Sequence, residues 1–142
     1  MTTVKIETID LAAFTRKTRR ACLRVCAKVT RKYARKEAPR RTGKLRQSLR
    51  YGMKRDNSYV TAKARYAHLL QRGVQPHKIF TKNANGLLKL PFDGGIVRKG
   101  PFDHPGIVGQ DFLDAGLARA RGEITVAIDN IIENSAEMNA DG

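Results

Sequence analysis

Apolar and small residues recur three or four apart near the start of the chain: Leu11, Phe14, Thr18, Cys22, Val25, Val29 and Tyr33. That period predicts one helix from about Leu11 to Glu37, with Asp10 as its N-cap. Arg16, Arg20, Arg24, Lys28, Arg31 and Arg35 lie largely off the stripe, so one face packs and the other is basic. Pro39 ends the helix, because the residue before a proline is pushed out of the helical region. Thr42 is then placed to cap a short helix carrying Leu45 and Leu49 inward, with Arg40, Arg41, Lys44, Arg46 and Arg50 pointing out. Ahead of all this, Val4, Ile6 and Thr8 alternate with Lys5 and Glu7, which makes residues 1–9 a short strand or an arm.

Further on the period changes to two. Tyr51–Arg55 and Tyr59–Arg65, separated by Asp56, Asn57 and Ser58, read as a β-hairpin that turns Val60, Ala62 and Ala64 toward a helix. A helical turn with Tyr66, Ala67, Leu69 and Leu70 as its apolar positions ends at Gly73, a C′ residue. Lys78–Thr81 and Leu87–Pro91 form two more strands joined around Asn83-Ala84-Asn85-Gly86, where Asn-Gly signals a tight turn, and Pro91 sits at a strand end or edge. Asp93–Pro105 is then an exposed, mobile loop. Asp111 caps a last helix with Leu113, Leu117, Ala120, Ile124, Ile128 and Ile131 as its stripe, despite Gly116 and Gly122. Residues 133–142 are polar and acidic and are expected to fray. The expected fold class is α+β, with a long N-terminal and a C-terminal helix packed on a small antiparallel sheet of about four strands, plus the long loop.

No internal repeat or linker divides the chain, and 142 residues suit one domain with one modest core. Charge changes the picture more than size does. Residues 16–50 hold fifteen Lys and Arg against the single acid Glu37, whereas the rest of the chain holds thirteen against twelve. The net charge of +15 is therefore a local device that attracts polyanions or an acidic protein surface. Cys22 and Cys26, four apart on one helix, suit two small buried hydrophobes better than a disulfide and fit a reducing, cytoplasmic site of synthesis. No run of residues is long and apolar enough for a membrane span, and the N-terminus lacks a signal-peptide pattern, so a soluble product with no membrane partner is expected.

Candidate chemistry is thin. His68, His77 and His104 are far apart in sequence and lack metal-ligand spacing. Ser48 and Ser58 lack a nucleophile elbow, and Asp93, Asp103, Asp111 and Asp114 are isolated or at capping positions, with Asp103-His104 the only acid–histidine neighbours. Thr42-Gly43-Lys44 resembles the end of a phosphate loop but lacks the upstream glycine. No enzyme activity, cofactor or metal is expected. Aromatics do not interleave with the basic run, so any nucleic-acid contact is to phosphates and blind to sequence.

Ala38-Pro39, Thr42-Gly43-Lys44-Leu45-Arg46-Gln47-Ser48-Leu49, Tyr66-Ala67 with Gly73, Pro105-Gly106 and Phe112-Leu113 occur in this order before a terminal helix. Over about residues 10–132 this order resembles the neck or tail-completion proteins of long-tailed bacteriophages, which join heads to tails. The resemblance implies a structural virion protein, made in the host cytoplasm, that forms a ring of sixfold-compatible symmetry at the head–tail junction. Its partners are then copies of itself, head-closure and tail-terminator rings, and the double-stranded DNA backbone. It also makes Thr42–Leu49 the short helix that enters the sheet. Gln71 departs from the pattern, which often has an acid there.

Arg16, Arg20, Arg24, Lys28, Arg31, Arg35, Arg40, Arg41 and Lys44 are the expected contacts to DNA or an acidic partner. Asp93, Arg98, Lys99, Phe102 and His104 are the expected contacts to a neighbouring subunit or neck component. The rival reading, from charge alone, is a free basic protein that binds DNA without regard to sequence.

Overall fold

The computed structural model describes residues 2–6, 15–81, 87–89, 97–99 and 101–140. The first helix, α1, spans Arg16–Glu37 and is capped by Thr15, whose hydroxyl accepts from Thr18 N. The expected cap Asp10 and first turn Leu11–Phe14 lie outside the described residues. At its other end Ala38 N donates to Ala34 O at 2.9 Å before Pro39 turns the chain away.

The buried face of α1 is wider than the predicted stripe. Thr18, Cys22 and Val29 are buried as expected, but so are Leu23, Cys26, Ala27, Thr30 and Ala34. Val25 and Tyr33 are only half-buried. The cause is double packing, since α1 meets the strands on one side and the last helix on the other. Cys22 and Cys26 are buried free thiols, and desolvation followed by the charge of Cys22 pushes Cys26 up to about 11.

A five-residue helix, α2, Lys44–Ser48, passes directly into the sheet, as the family resemblance implies. Thr42 does not cap it. Gly43 stands at the cap position with φ 75° and no side-chain bond. The sheet contains β1 (Thr2–Ile6), β2 (Leu49–Lys54) and β3 (Asn57–Ala62), all antiparallel, in the order β1-β3-β2. The hairpin turn falls at Arg55-Asp56, earlier than the expected 56–58, and Lys54 pairs with Asn57 across it. Inward positions follow the predicted alternation: Val60 and Ala62 are fully buried and Ala64 packs against the core. Main-sheet strands number three rather than about four, because the later strands form ladders of their own.

Helix α3, Ala67–Arg72, closes on Gly73, whose N–H reaches Leu69 O at 2.8 Å. Its inward residues are Ala67 and Gln71, while the expected apolar positions Tyr66 and Leu69 are exposed. Beyond it the pairing differs from expectation. β4 (His77–Ile79) pairs with β7 (Phe102–His104), and β5 (Leu87–Lys89) pairs with β6 (Val97–Lys99). The Val74–Ile107 bridge, with two bonds of 2.8 Å, continues the β4–β7 register inward. Among the described residues these two ladders and the bridge nest within 74–107, and we call this part the arm. Within the expected 93–105 loop, Val97–Lys99 and Phe102–His104 are paired strands, while Asp93 and the expected turn at 83–86 lie outside the described residues. At the root, Gly73 and Gly106 adopt φ 81° and 85° with neighbouring backbone where a Cβ would stand. Only glycine fits both demands.

The last helix, α4, spans Phe112–Ala140 and runs antiparallel to α1. Leu113, Ala120, Ile124 and Ile128 are buried, and Leu117 and Ile131 pack against the core. The helix assignment runs through the expected tail to Ala140. No glycine or proline interrupts this stretch, and Ser135 bonds Ile131 O at 2.7 Å while accepting from Thr18 at 3.2 Å. Where α4 crosses α1, a Cβ on Gly116 would lie 2.5 Å from Ala34 Cα. The two backbones touch there.

That crossing separates two otherwise similar substitutions. Gly122→Ala places its methyl in open space and is expected to stabilise by about 0.5–1 kcal/mol, the helix-propensity gain. Gly116→Ala carries the same gain but drives a methyl into Ala34, so thermal or urea denaturation should show a net loss. Equal stabilisation by both would rule out the close crossing.

Candidate functional site

The packed half of α1 fixes the orientation of the other half. Arg16, Arg20, Arg24 and Lys28 are exposed along it, and Arg31 and Arg35 are half-buried near its end. Arg40 and Arg41 continue the basic surface through the bend after Pro39, and Lys44 carries it onto α2. The structure therefore gathers the expected polyanion-contact residues onto a helix, a bend and a second helix. Ion pairs among the described residues involve other bases: Arg19–Asp56 at 3.2 Å, Lys32–Glu123 at 2.8 Å and Arg119–Glu37 at 2.8 Å. The last two tie α4 to α1.

Arg46, expected to point out, folds back. Its Nε donates to Ala38 O at 2.9 Å and its NH2 to Lys36 O at 3.2 Å, satisfying carbonyls left open at the helix end. Arg35 Nε in turn donates to Arg46 O at 3.1 Å. Sequence reasoning took Arg46 for surface charge, because its carbonyl acceptors become adjacent only when the chain doubles back.

Arg31 occupies the most unusual position on this face. Its guanidinium lies over the Tyr51 ring, 5.4 Å from the centroid, and its Nε is buried without a partner. Burial lowers its proton affinity, and the like charges of Arg35 and Arg50 lower it further. Beside it runs an open groove of about 540 Å³ lined by Val25, Lys28, Val29, Arg31, Lys32, Arg35 and Glu123. Glu123, the acid in the groove, is taken: both oxygens accept from Lys32 Nζ at 2.8 Å, and Tyr33 also bonds it. Lys32 and then Tyr33 hold its carboxyl below the usual range, while the same bond raises Lys32.

The second set of expected contacts sits on the arm. Phe102 and His104 lie on β7 and are half-buried, so the arm itself covers part of each. Arg98 and Lys99 belong to β6, and Asp93 lies outside the described residues. His77 and His104 are cross-strand partners whose rings stack with centroids 5.0 Å apart, and His104 Nδ1 accepts from Gly106 N at 3.0 Å. At the arm's root a second open hollow, of about 510 Å³, lies between the 72–76 and 105–109 segments. Phe80, near the start of the outgoing limb, is 71% exposed.

Gln71 joins these regions. Its Oε1 accepts from Leu113 N at 3.2 Å, capping α4, while its Nε2 donates to Asp114 at 2.6 Å. Asp111, the expected cap, stands just before the helix with φ 39°, and its carbonyl accepts from Ala115 N at 2.9 Å. An acid at position 71 would face the Asp114 carboxylate, so the amide suits this partner. The departure from the family pattern at Gln71 thus has a local physical reason.

Among the described residues no group of three or more His, Cys, Asp or Glu could hold a metal ion, and no helix is long and apolar enough to cross a membrane. Residues 8–73 match the model of the HK97-gp10-like family, described as "Bacteriophage HK97-gp10, putative tail-component". The match ends at the Gly73 cap of α3 and agrees with the tail-completion resemblance carried by the residues themselves. The family is named for a place in the virion, not for a reaction. Comparisons with characterised proteins and with solved structures gave no match.

Two consequences are measurable. Gln71→Glu should cost about 1–3 kcal/mol near neutral pH, because a carboxylate replaces the donor to Asp114 in a buried position. The new acid's proton affinity is raised in the folded state, so the deficit should shrink as pH falls toward the carboxylate range; a pH-independent deficit would contradict the contact. For Glu123 the sign is opposite. Its lowered folded-state value means that the stabilisation is present above the ordinary 4.5 and lost as pH falls through the lowered value. In acid melting curves Glu123→Gln should remove that part of the pH dependence, and an unchanged profile would show that the pair does not couple to folding.

Proposed function

We propose that this chain is a structural part of the phage neck, assembling as a ring at the head–tail junction around the DNA channel and completing the tail for joining. The observation that carries the reading is the match of residues 8–73 to a family of bacteriophage tail components, joined to the later Pro105-Gly106 and Phe112-Leu113 motifs. The fold supports it. A helix pair on a small sheet is a rigid body, the arm gives each copy an extension toward a neighbour, and the basic face of α1 supplies a wall that attracts phosphates. Sixfold-compatible symmetry, head-closure and tail-terminator neighbours, and arm contacts through Arg98, Lys99, Phe102 and His104 belong to the same reading.

The free DNA-binding reading rests on the basic face alone and leaves the arm without a role. Electron microscopy of lysates from a phage with a stop codon in this gene separates the two. Filled heads lying apart from finished tails, or tails with irregular ends, are the expected outcome. Intact infectious particles would remove the protein from the assembly pathway and leave the DNA-binding reading.

A further inference from the structure

We propose that Lys28, Arg31 and Arg35, which line one groove, together with Arg50 on the adjoining strand β2, form a seat for one backbone phosphate of double-stranded DNA. The inference rests on the reading that the basic face meets DNA, and it deepens that reading by naming where on the face the strand is gripped.

Three observations meet at this place. Arg31 is held over Tyr51 at 5.4 Å with its Nε buried, so packing fixes the guanidinium in place before any ligand arrives. Lys28, Arg31 and Arg35 line one groove, and Arg50 is near enough to add its like charge to that of Arg35 against Arg31. Glu123 lines the same groove, but Lys32 is bonded to both of its oxygens and offsets its charge, so Lys28, Arg31 and Arg35 leave the groove net positive. Arg35 is already anchored through Nε to Arg46 O, and its terminal nitrogens have no partner among the described residues. A cluster of this kind is unfavourable alone and becomes favourable around an anion.

A phosphate diester fits better than a side-chain carboxylate. Its oxygens accept from several guanidinium groups at once, and planar Arg donors match that geometry. The surrounding pattern also points to a polymer. Arg20, Arg24, Lys28 and Arg31 recur about once per turn over roughly 16 Å of helix, a periodic row suited to a periodically charged strand. Tyr51 serves as the platform that holds Arg31 flat, not as a stacking partner for a base, consistent with contact blind to sequence.

The test compares binding of the full chain to a short duplex of arbitrary sequence across a salt series, for the wild type, Arg31→Gln, Arg50→Gln and Arg121→Gln. Arg121 is exposed on α4 and outside the cluster, so its replacement removes the same charge without touching the seat. Arg31→Gln and Arg50→Gln should each weaken binding by about tenfold and lower the log–log salt slope by about 0.9, with Arg121→Gln well below both. Equal losses in all three variants would overturn the proposal in favour of a diffuse field. Binding of polyglutamate in preference to the duplex would overturn it in favour of an acidic protein partner.

A second readout excludes a merely structural role. Inorganic phosphate should raise the Tm of the wild type above that in chloride of equal ionic strength, and this rise should be lost in Arg50→Gln. Without phosphate, Arg50→Gln should be at least as stable as the wild type, since a like charge has been removed. A lower Tm there, or an undiminished phosphate effect, would overturn the seat. Because the neck reading is tested by particle assembly, loss of the seat with the separated-head phenotype intact leaves that reading standing.

Discussion

The fold depends on how closely α4 can lie on α1. At Gly116 the two backbones meet over Ala34, and any larger residue on either side would hold the helices apart. From that point the antiparallel pair runs in both directions, with Arg119–Glu37 and Lys32–Glu123 at its edge and Thr18–Ser135 near the far end. These edge pairs are individually weak in water. Burial of Ala34, Ala120, Ile124 and Ile128 supplies the main stabilisation, and the polar pairs fix the register. Gln71 completes the arrangement by capping α4 where it begins, so α3 and the start of the last helix are set by one side chain.

The same packing determines what the basic residues can do. A helix pinned on two sides cannot rotate its charged face toward its own core. Among the described residues Lys32 pairs with a carboxylate on α4, and Arg19 with one at the hairpin turn. The row from Arg20 to Arg31 is therefore presented on a rigid rod, and at its end the sheet adds Arg50 and Tyr51 to it. Local repulsion among like charges is the cost of that presentation. Such a surface suits assembly around a polyanion, where the partner supplies the compensation.

The arm follows different physics. Its described ladders are three residues long each, and none of its residues with described burial belongs to the core cluster. What holds its root is backbone pairing at Val74–Ile107 and the close approach of the chain at Gly73 and Gly106. An element built this way extends from the body while its base stays fixed. That geometry suits a contact between copies, and it is the part of the fold that the basic helix cannot explain.

Much of this was legible from the chain. Most of the α1 and α4 stripes, a hairpin at 51–65 and the buried cysteines follow from spacing, because side chains within one turn or one strand share a face whatever surrounds them, while the short helix feeding the sheet follows from the family resemblance. The concentration of positive charge is likewise written in residues 16–50. Three features came only with the tertiary structure. β4 pairs with a strand some 25 residues away instead of its neighbour, since the register begun at Val74–Ile107 continues into that ladder. Arg46 looks like surface charge in sequence and Gln71 only like a departure from the family pattern, and both become caps because distant backbone is brought against them. Arg31 is one of many arginines until Tyr51, Arg35 and Arg50 surround it. Periodicity fixes which way a side chain faces; only the folded chain decides what it meets there.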